Sequence, residues 1–217
     1  MTTSTYPARM SHIAELVQRH ADRWEAATRH PFLAGVRDGA LPVAAFDTWL
    51  AQDALFVADL LAFQARLLAR APRPAQAVLA AGAVALVEEL DWFEGLAAGR
   101  GLDLGAPALS ATRDYAALLS QLDAAPYADA VGGLWVIERV YLDAWSSALP
   151  GSDGFAELVE HWTTPGFASY VTALQGLSEQ AGPPDEALVV QVLHQEAAFW
   201  QMALDAADAP APTRAAR

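Results

Sequence analysis

Apolar residues recur three and four positions apart along almost the whole chain, the spacing that gives an α-helix one greasy face. This pattern predicts a helix from about Met10 to Thr28 and a short one in "HPFLAGVRDG" that ends on Gly39. A long helix is expected from near Pro42, as an N1 proline, to about Ala71. "RPAQAVLAAGAVALVEELDWFEGLAAGRG" predicts a second long helix stopped at Gly99 and Gly101, and "APALSATRDYAALLSQLD" a shorter one. "PYADAVGGLWVIERVYLDAWSSALPG" reads as a helix reaching Pro150. "GFAELVEHWTTPGFASYVTALQGLSEQAG" breaks or bends at "TTPG", and "PPDEALVVQVLHQEAAFWQMALDAAD" closes the fold. No stretch alternates with the period of two that marks strands. The expected architecture is all-α, a bundle of about seven or eight helices. One domain is expected over residues 1–208, with 209–217 a disordered tail.

Three carboxylates interrupt the apolar stripes. Asp53 lies among Phe46, Trp49, Leu50, Phe56, Val57 and Leu60. Glu138 lies among Val131, Leu134, Trp135, Tyr141, Leu142 and Trp145, and Glu196 among Val189, Val192, Leu193, Trp200 and Ala203. Burying an unpaired carboxylate is costly, and the escape is pairing or a raised pKa. Any one of these acids can instead be half-exposed or paired with an arginine, for which Arg66, Arg113 and Arg139 are available. All three together point to a shared pocket lined by aromatic rings, the form of a small-molecule site. Glu88, Glu89, Asp91 and Glu94 form a further acidic cluster that reads mostly as a solvated face, with Glu89 the doubtful member.

Composition narrows the chemistry. Hydrophobic residues make up 54% of the 217 positions and charged ones only 18%. There is no cysteine, which excludes disulfides and thiolate chemistry. Lysine is also absent, which excludes Schiff bases. A net charge of −13, with no basic cluster, argues against nucleic-acid binding. No uncharged apolar run reaches the roughly 18 residues that mark a membrane span. No export signal is apparent, so a cytoplasmic protein is expected. The five histidines are scattered: "ELVEH" puts Glu157 and His161 four apart, and "HQE" puts His194 and Glu196 two apart. Neither is the Glu-x-x-His pair of a di-iron bundle, and nothing singles out His20 or His30 as a heme ligand, so no metal or cofactor is expected.

The motifs resemble those of TenA-type proteins. "HPFLAGVRDGALPVAAFDTWLAQDALFVADLLAF" is similar to the family's opening, with its His-Pro-Phe segment, Gly-x-Leu-Pro turn and Gln-Asp pair in that order. "EAAFWQMA" resembles its closing motif, and "LWVIERVYLDAW" and "HWTTPGFASYV" resemble segments between them. The resemblance covers roughly residues 24 to 205 and implies the heme-oxygenase-like helical fold, generally without heme, assembled as a homodimer or homotetramer. It further implies hydrolysis of an aminopyrimidine in thiamine salvage, an aminomethyl group giving way to hydroxymethyl. Asp53 would then hydrogen-bond the pyrimidine, Phe56 flank it, and Glu196 act as acid/base with Phe199 beside it.

One departure matters. The main subclass uses a cysteine shortly before the glutamate of the middle helix, where this chain has "AVGGLWVIE". The histidine often found in the preceding long helix is missing too; "EELDWFEG" offers Trp92 and Phe93. The chain resembles a second, cysteine-lacking subclass that uses a pocket glutamate, and Glu138 is the candidate substitute. Glu138 would activate water or attack directly, Glu196 would protonate the leaving amine, and Trp135, Tyr141, Phe56, Phe199 and Tyr115 would wall the pocket. The substrate would be an aminomethyl- or formylaminomethyl-pyrimidine. The alternatives are another enzyme on the same fold and a non-catalytic protein that binds a pyrimidine-like ligand.

Overall fold

The computed structural model describes residues 11–208, all of whose regular structure is helical. Ten α-helices and one 3-10 turn follow one another: α1 (His12–Arg19), α2 (Ala21–Thr28), α3 (Pro31–Asp38), α4 (Val43–Arg70), the turn Arg73–Ala75, α5 (Gln76–Arg100), α6 (Ser110–Ala124), α7 (Tyr127–Ser147), α8 (Ala156–Trp162), α9 (Pro165–Ala181) and α10 (Glu186–Asp208). The expected start at Met10 and the expected tail at 209–217 lie outside the described residues.

The helix count exceeds the sequence expectation because the stretch read as one helix from Met10 is divided and because "TTPG" separates two helices rather than bending one. The first breaks at His20, whose Nε2 lies 2.7 Å from Glu186 Oε1 at the start of α10. The second breaks at "TTPG". There Thr164 adopts extended backbone and its hydroxyl accepts the Phe167 amide at 3.2 Å, while Pro165 occupies the first helical position, where its missing N–H costs nothing. Pro42 sits one position earlier than expected, as the N-cap of α4. Gly39 (φ 74°) and Gly101 (φ 69°) end α3 and α5 in the left-handed conformation that glycine adopts without strain.

Helices α4, α7 and α10 pack against one another at the centre, flanked by α6, α9 and α2. α5 packs chiefly against α4. Between Val131 and Ile137 every residue of α7 is buried, so it has no solvent face there. Trp49, Trp145, Trp162 and Trp200 interlock in the core: Trp49 stacks on Trp200 (centroids 6.0 Å apart, planes 18°), and Trp145 meets Trp162 at 4.2 Å. The Gln-Asp pair of the sequence motif divides its duties. Gln52 Oε1 accepts from the Leu109 amide at 2.8 Å and from the Thr112 hydroxyl at 2.7 Å, fastening α4 to the start of α6. Asp53 turns into the bundle.

Candidate functional site

Asp53, Glu138 and Glu196 are all buried, from α4, α7 and α10 respectively. None is neutralised by the arginines available to it. Arg139 pairs with Asp143 at 2.9 Å, Arg66 with Asp123 at 2.5 Å, and Arg113 donates to the Ala108 carbonyl. The partners of Glu196 and Asp53 are phenols. Tyr115 of α6 donates its hydroxyl to Glu196 Oε1, and Tyr141 of α7 donates a long hydrogen bond of 3.4 Å to Asp53 Oδ2.

Loss of water therefore dominates their acidity. Burial pushes Glu196 up to about 8, with the Tyr115 hydrogen bond holding it back in part. Burial, helped by repulsion from Glu196 and Glu89, pushes Glu138 up to about 8. Asp53 is raised well above the usual range by burial and by the charges of Glu89 and Glu196, against the weaker pull of Tyr141. The same repulsions mean that four carboxyls, from four helices, lie within electrostatic reach of one another.

Two of them, Glu89 and Glu138, line a cavity of about 570 Å³, within the range of about 300–1,000 Å³ usual for small-molecule sites. Phe56, Val57 and Leu60 of α4 form one wall. Glu138 and Tyr141 of α7 form another, and Phe167 and Tyr170 of α9 a third. Gly82, Glu89 and Trp92 of α5 face His161 and Trp162 of α8 across the remainder. A Cβ at Gly82 would overlap the Tyr170 hydroxyl and the Gln64 amide, so glycine there lets the tyrosine lie against α5.

The other residues expected at the site are distributed unevenly. Phe56, Tyr141 and Glu138 line the cavity. Asp53 and Glu196 are not among the lining residues: Asp53 bonds Tyr141 of the wall, and Glu196 bonds Tyr115, which packs on Phe56. Tyr115 and Phe199 belong to a second layer, and both contact Phe56, with centroids 4.4 and 5.8 Å away. Trp135 does not face the cavity. It packs on Trp24, centroids 5.9 Å apart, and borders a separate groove with Arg139 and Asp143. Trp135 and Tyr141 are six residues apart, which turns them about 120° from each other around a helix of 3.6 residues per turn. A wheel drawn on a helix buried all round could not tell which side held the cavity.

Sequence reasoning left Glu89 as the doubtful member of a solvated face and weighed His161 only as a metal ligand with Glu157, so neither was placed at the site. Glu89 Oε2 lies 2.7 Å from His161 Nε2, and Glu89 Oε1 accepts from Trp162 Nε1 at 2.7 Å. His161 thus pairs with α5 rather than with Glu157 of its own helix. Its ring lies flat on Trp92, centroids 4.0 Å apart and planes within 8°. The adjacent residues in "HW" and the spacing of Glu89 and Trp92 were the available signal, but it needed a partner 72 positions away. Among the described residues no group of three or more His, Asp or Glu side chains is arranged to hold a metal ion. His20 is engaged by Glu186, and His30 caps α3 by accepting the Phe32 amide at 3.3 Å. No helix of the described residues is long and apolar enough to cross a membrane.

Residues 17–206 match the model of the TENA/THI-4/PQQC family. The chain belongs to this family. It is 31% identical over 206 residues to a Glycine max protein named "Probable bifunctional TENA-E protein", spanning 86% of this chain and 90% of that one. Among solved structures it resembles a TenA homologue from Pyrococcus furiosus, with a TM-score of 0.78 at 24% identity, over 90% of this chain and 99% of that one. It also resembles a TenA family transcription regulator from a Silicibacter species, with a TM-score of 0.79 at 18% identity, over 89% and 96%. These two likenesses establish the helical TenA fold that the sequence motifs implied.

Proposed function

We propose that this TenA family protein hydrolyses the exocyclic C–N bond of an aminomethyl- or formylaminomethyl-pyrimidine. The observation that carries this reading is an aromatic-walled cavity lined by Glu138, with Asp53 hydrogen-bonded to its wall residue Tyr141, Glu196 buried behind Phe56, and no arginine among its lining residues. A carboxyl kept protonated near neutrality is suited to give a proton to a leaving amine. The similarity to the soybean TENA-E protein, together with the missing cysteine, supports the glutamate-dependent form of the chemistry.

In this reading Asp53, with Tyr141, holds the ring's amino group and nitrogen, and Phe56 flanks the ring. Glu138 holds the attacking water against the carbon that bears the amine. Glu196, protonated, gives its proton to the departing nitrogen, so that water oxygen replaces nitrogen on that carbon. Rearrangement of Phe56 or Tyr115 opens the second layer to substrate. The charge of −13 supports a small-molecule role over a nucleic-acid one.

The test is release of amine from an aminomethyl-pyrimidine and from its N-formyl derivative, run beside thermal shift with the same compounds. Release with turnover supports the hydrolase. Stabilisation by the pyrimidine with no release from either compound replaces it with a binding protein.

A further inference from the structure

We infer that His161, oriented by Glu89, is the general base that takes the proton of the attacking water in this cavity. The inference rests on the hydrolase reading above and adds the group which that reading leaves unassigned.

Water attack needs an acceptor for its proton as well as a donor for the amine. Glu138 and Glu196, both pushed up to about 8 by burial, carry protons at neutral pH and are better donors than acceptors. Neutral imidazole is a competent base under the same conditions. His161 is the histidine that lines the cavity, together with Glu138.

Its surroundings fix it in a working orientation. Glu89 is itself held at both oxygens, by Trp162 Nε1 at 2.7 Å and His161 Nε2 at 2.7 Å. A carboxylate only accepts hydrogen bonds, so Nε2 carries a ring proton, and in the neutral ring that tautomer leaves the lone pair on Nδ1. Trp92, stacked flat at 4.0 Å, prevents the ring from rotating. Among the described residues Nδ1 has no hydrogen-bond partner. A carboxylate, a histidine of defined tautomer and a free ring nitrogen at a cavity wall make up the base half of a catalytic relay.

The step balances. Water's oxygen bonds to the carbon while its proton passes to His161 Nδ1. The C–N bond breaks with its electrons on nitrogen, which takes the Glu196 proton. The alcohol and the free amine leave, and solvent returns the proton from His161 to Glu196.

Glu89→Gln is the sharpest test. Its amide still accepts from Trp162 but offers a donor to Nε2, which moves the ring proton onto Nδ1 and removes the base without emptying the site. The expected result is a fall in kcat of about 10²- to 10⁴-fold with KM nearly unchanged. His161→Ala should show a similar loss, with added imidazole restoring part of the amine release. Glu89→Gln turnover within about threefold of wild type overturns the assignment, as does a folded His161→Ala that ignores imidazole. If His161→Ala does not fold, Glu89→Gln decides alone. A wild-type chain that releases no amine removes the hydrolase reading and this assignment together, whereas active wild type with equally active Glu89→Gln removes this assignment only.

Discussion

The Tyr115 hydroxyl on α6 donates to Glu196 Oε1 on α10, so a phenol and a carboxyl share one hydrogen bond in a buried layer behind Phe56. That bond lowers a pKa that burial raises. Tyr115→Phe should therefore move the Glu196 pKa further above about 8. If Glu196 acts as the acid, the alkaline fall of kcat/KM shifts to higher pH in the variant. The lost bond should also cost about 0.5–1.5 kcal/mol of stability, read by urea unfolding. An unmoved alkaline limb would disconnect Glu196 from the proton-transfer step.

Glu196→Gln keeps the shape of the side chain and its place beside Tyr115 but removes the proton it would give. Amine release should drop about 10²- to 10⁴-fold while helical circular dichroism and pyrimidine binding persist. Full activity would defeat the proposed role.

Buried, raised carboxyls tie stability to pH with a definite sign. The folded Glu138 and Glu196 titrate at about 8, against 4.5 as their ordinary value, so the folded chain binds more protons than the unfolded one between these limits. Their contribution is fully present below pH 4.5 and is lost as pH rises through 8. Each carboxyl can contribute a slope of at most about 1.4 kcal/mol per pH unit. Denaturation midpoints at pH 6 and pH 9 should differ accordingly, and Glu138→Gln should flatten the difference and outlast wild type at pH 9.

Gly82→Ala tests the cavity wall. The added methyl would meet the Tyr170 hydroxyl and the Gln64 amide, which itself donates to the Leu79 carbonyl at 2.8 Å. Overpacking of this kind costs about 1–3 kcal/mol. Tm should fall, and pyrimidine affinity should fall with it, because Tyr170 must swing into the cavity. A variant with unchanged Tm would mean that the wall yields freely.

Much of this was legible in the chain. Helical periodicity gave the elements, with misplacement only where no sequence signal exists. His20 interrupts α1 and α2 without a proline or glycine, whereas the break at "TTPG" is announced by Pro165. Asp53, Glu138 and Glu196 were conspicuous because each replaces an apolar residue in an otherwise apolar stripe. Glu89 stayed doubtful because α5 is rich in alanine and carries three other acids beside it, so its stripes have little contrast.

What the sequence determined by itself is the set of helices and the three acids that could not be solvated, since periodicity and apolar neighbours are properties of local chain. Tertiary structure alone decided which side of α7 opens on the cavity, turning Trp135 away and Tyr141 toward it. It also decided that Glu89 on α5 would hold His161 on α8. Both depend on how helices distant in sequence pack, and hydrophobic burial, being non-directional, leaves that choice to the fit of the whole core.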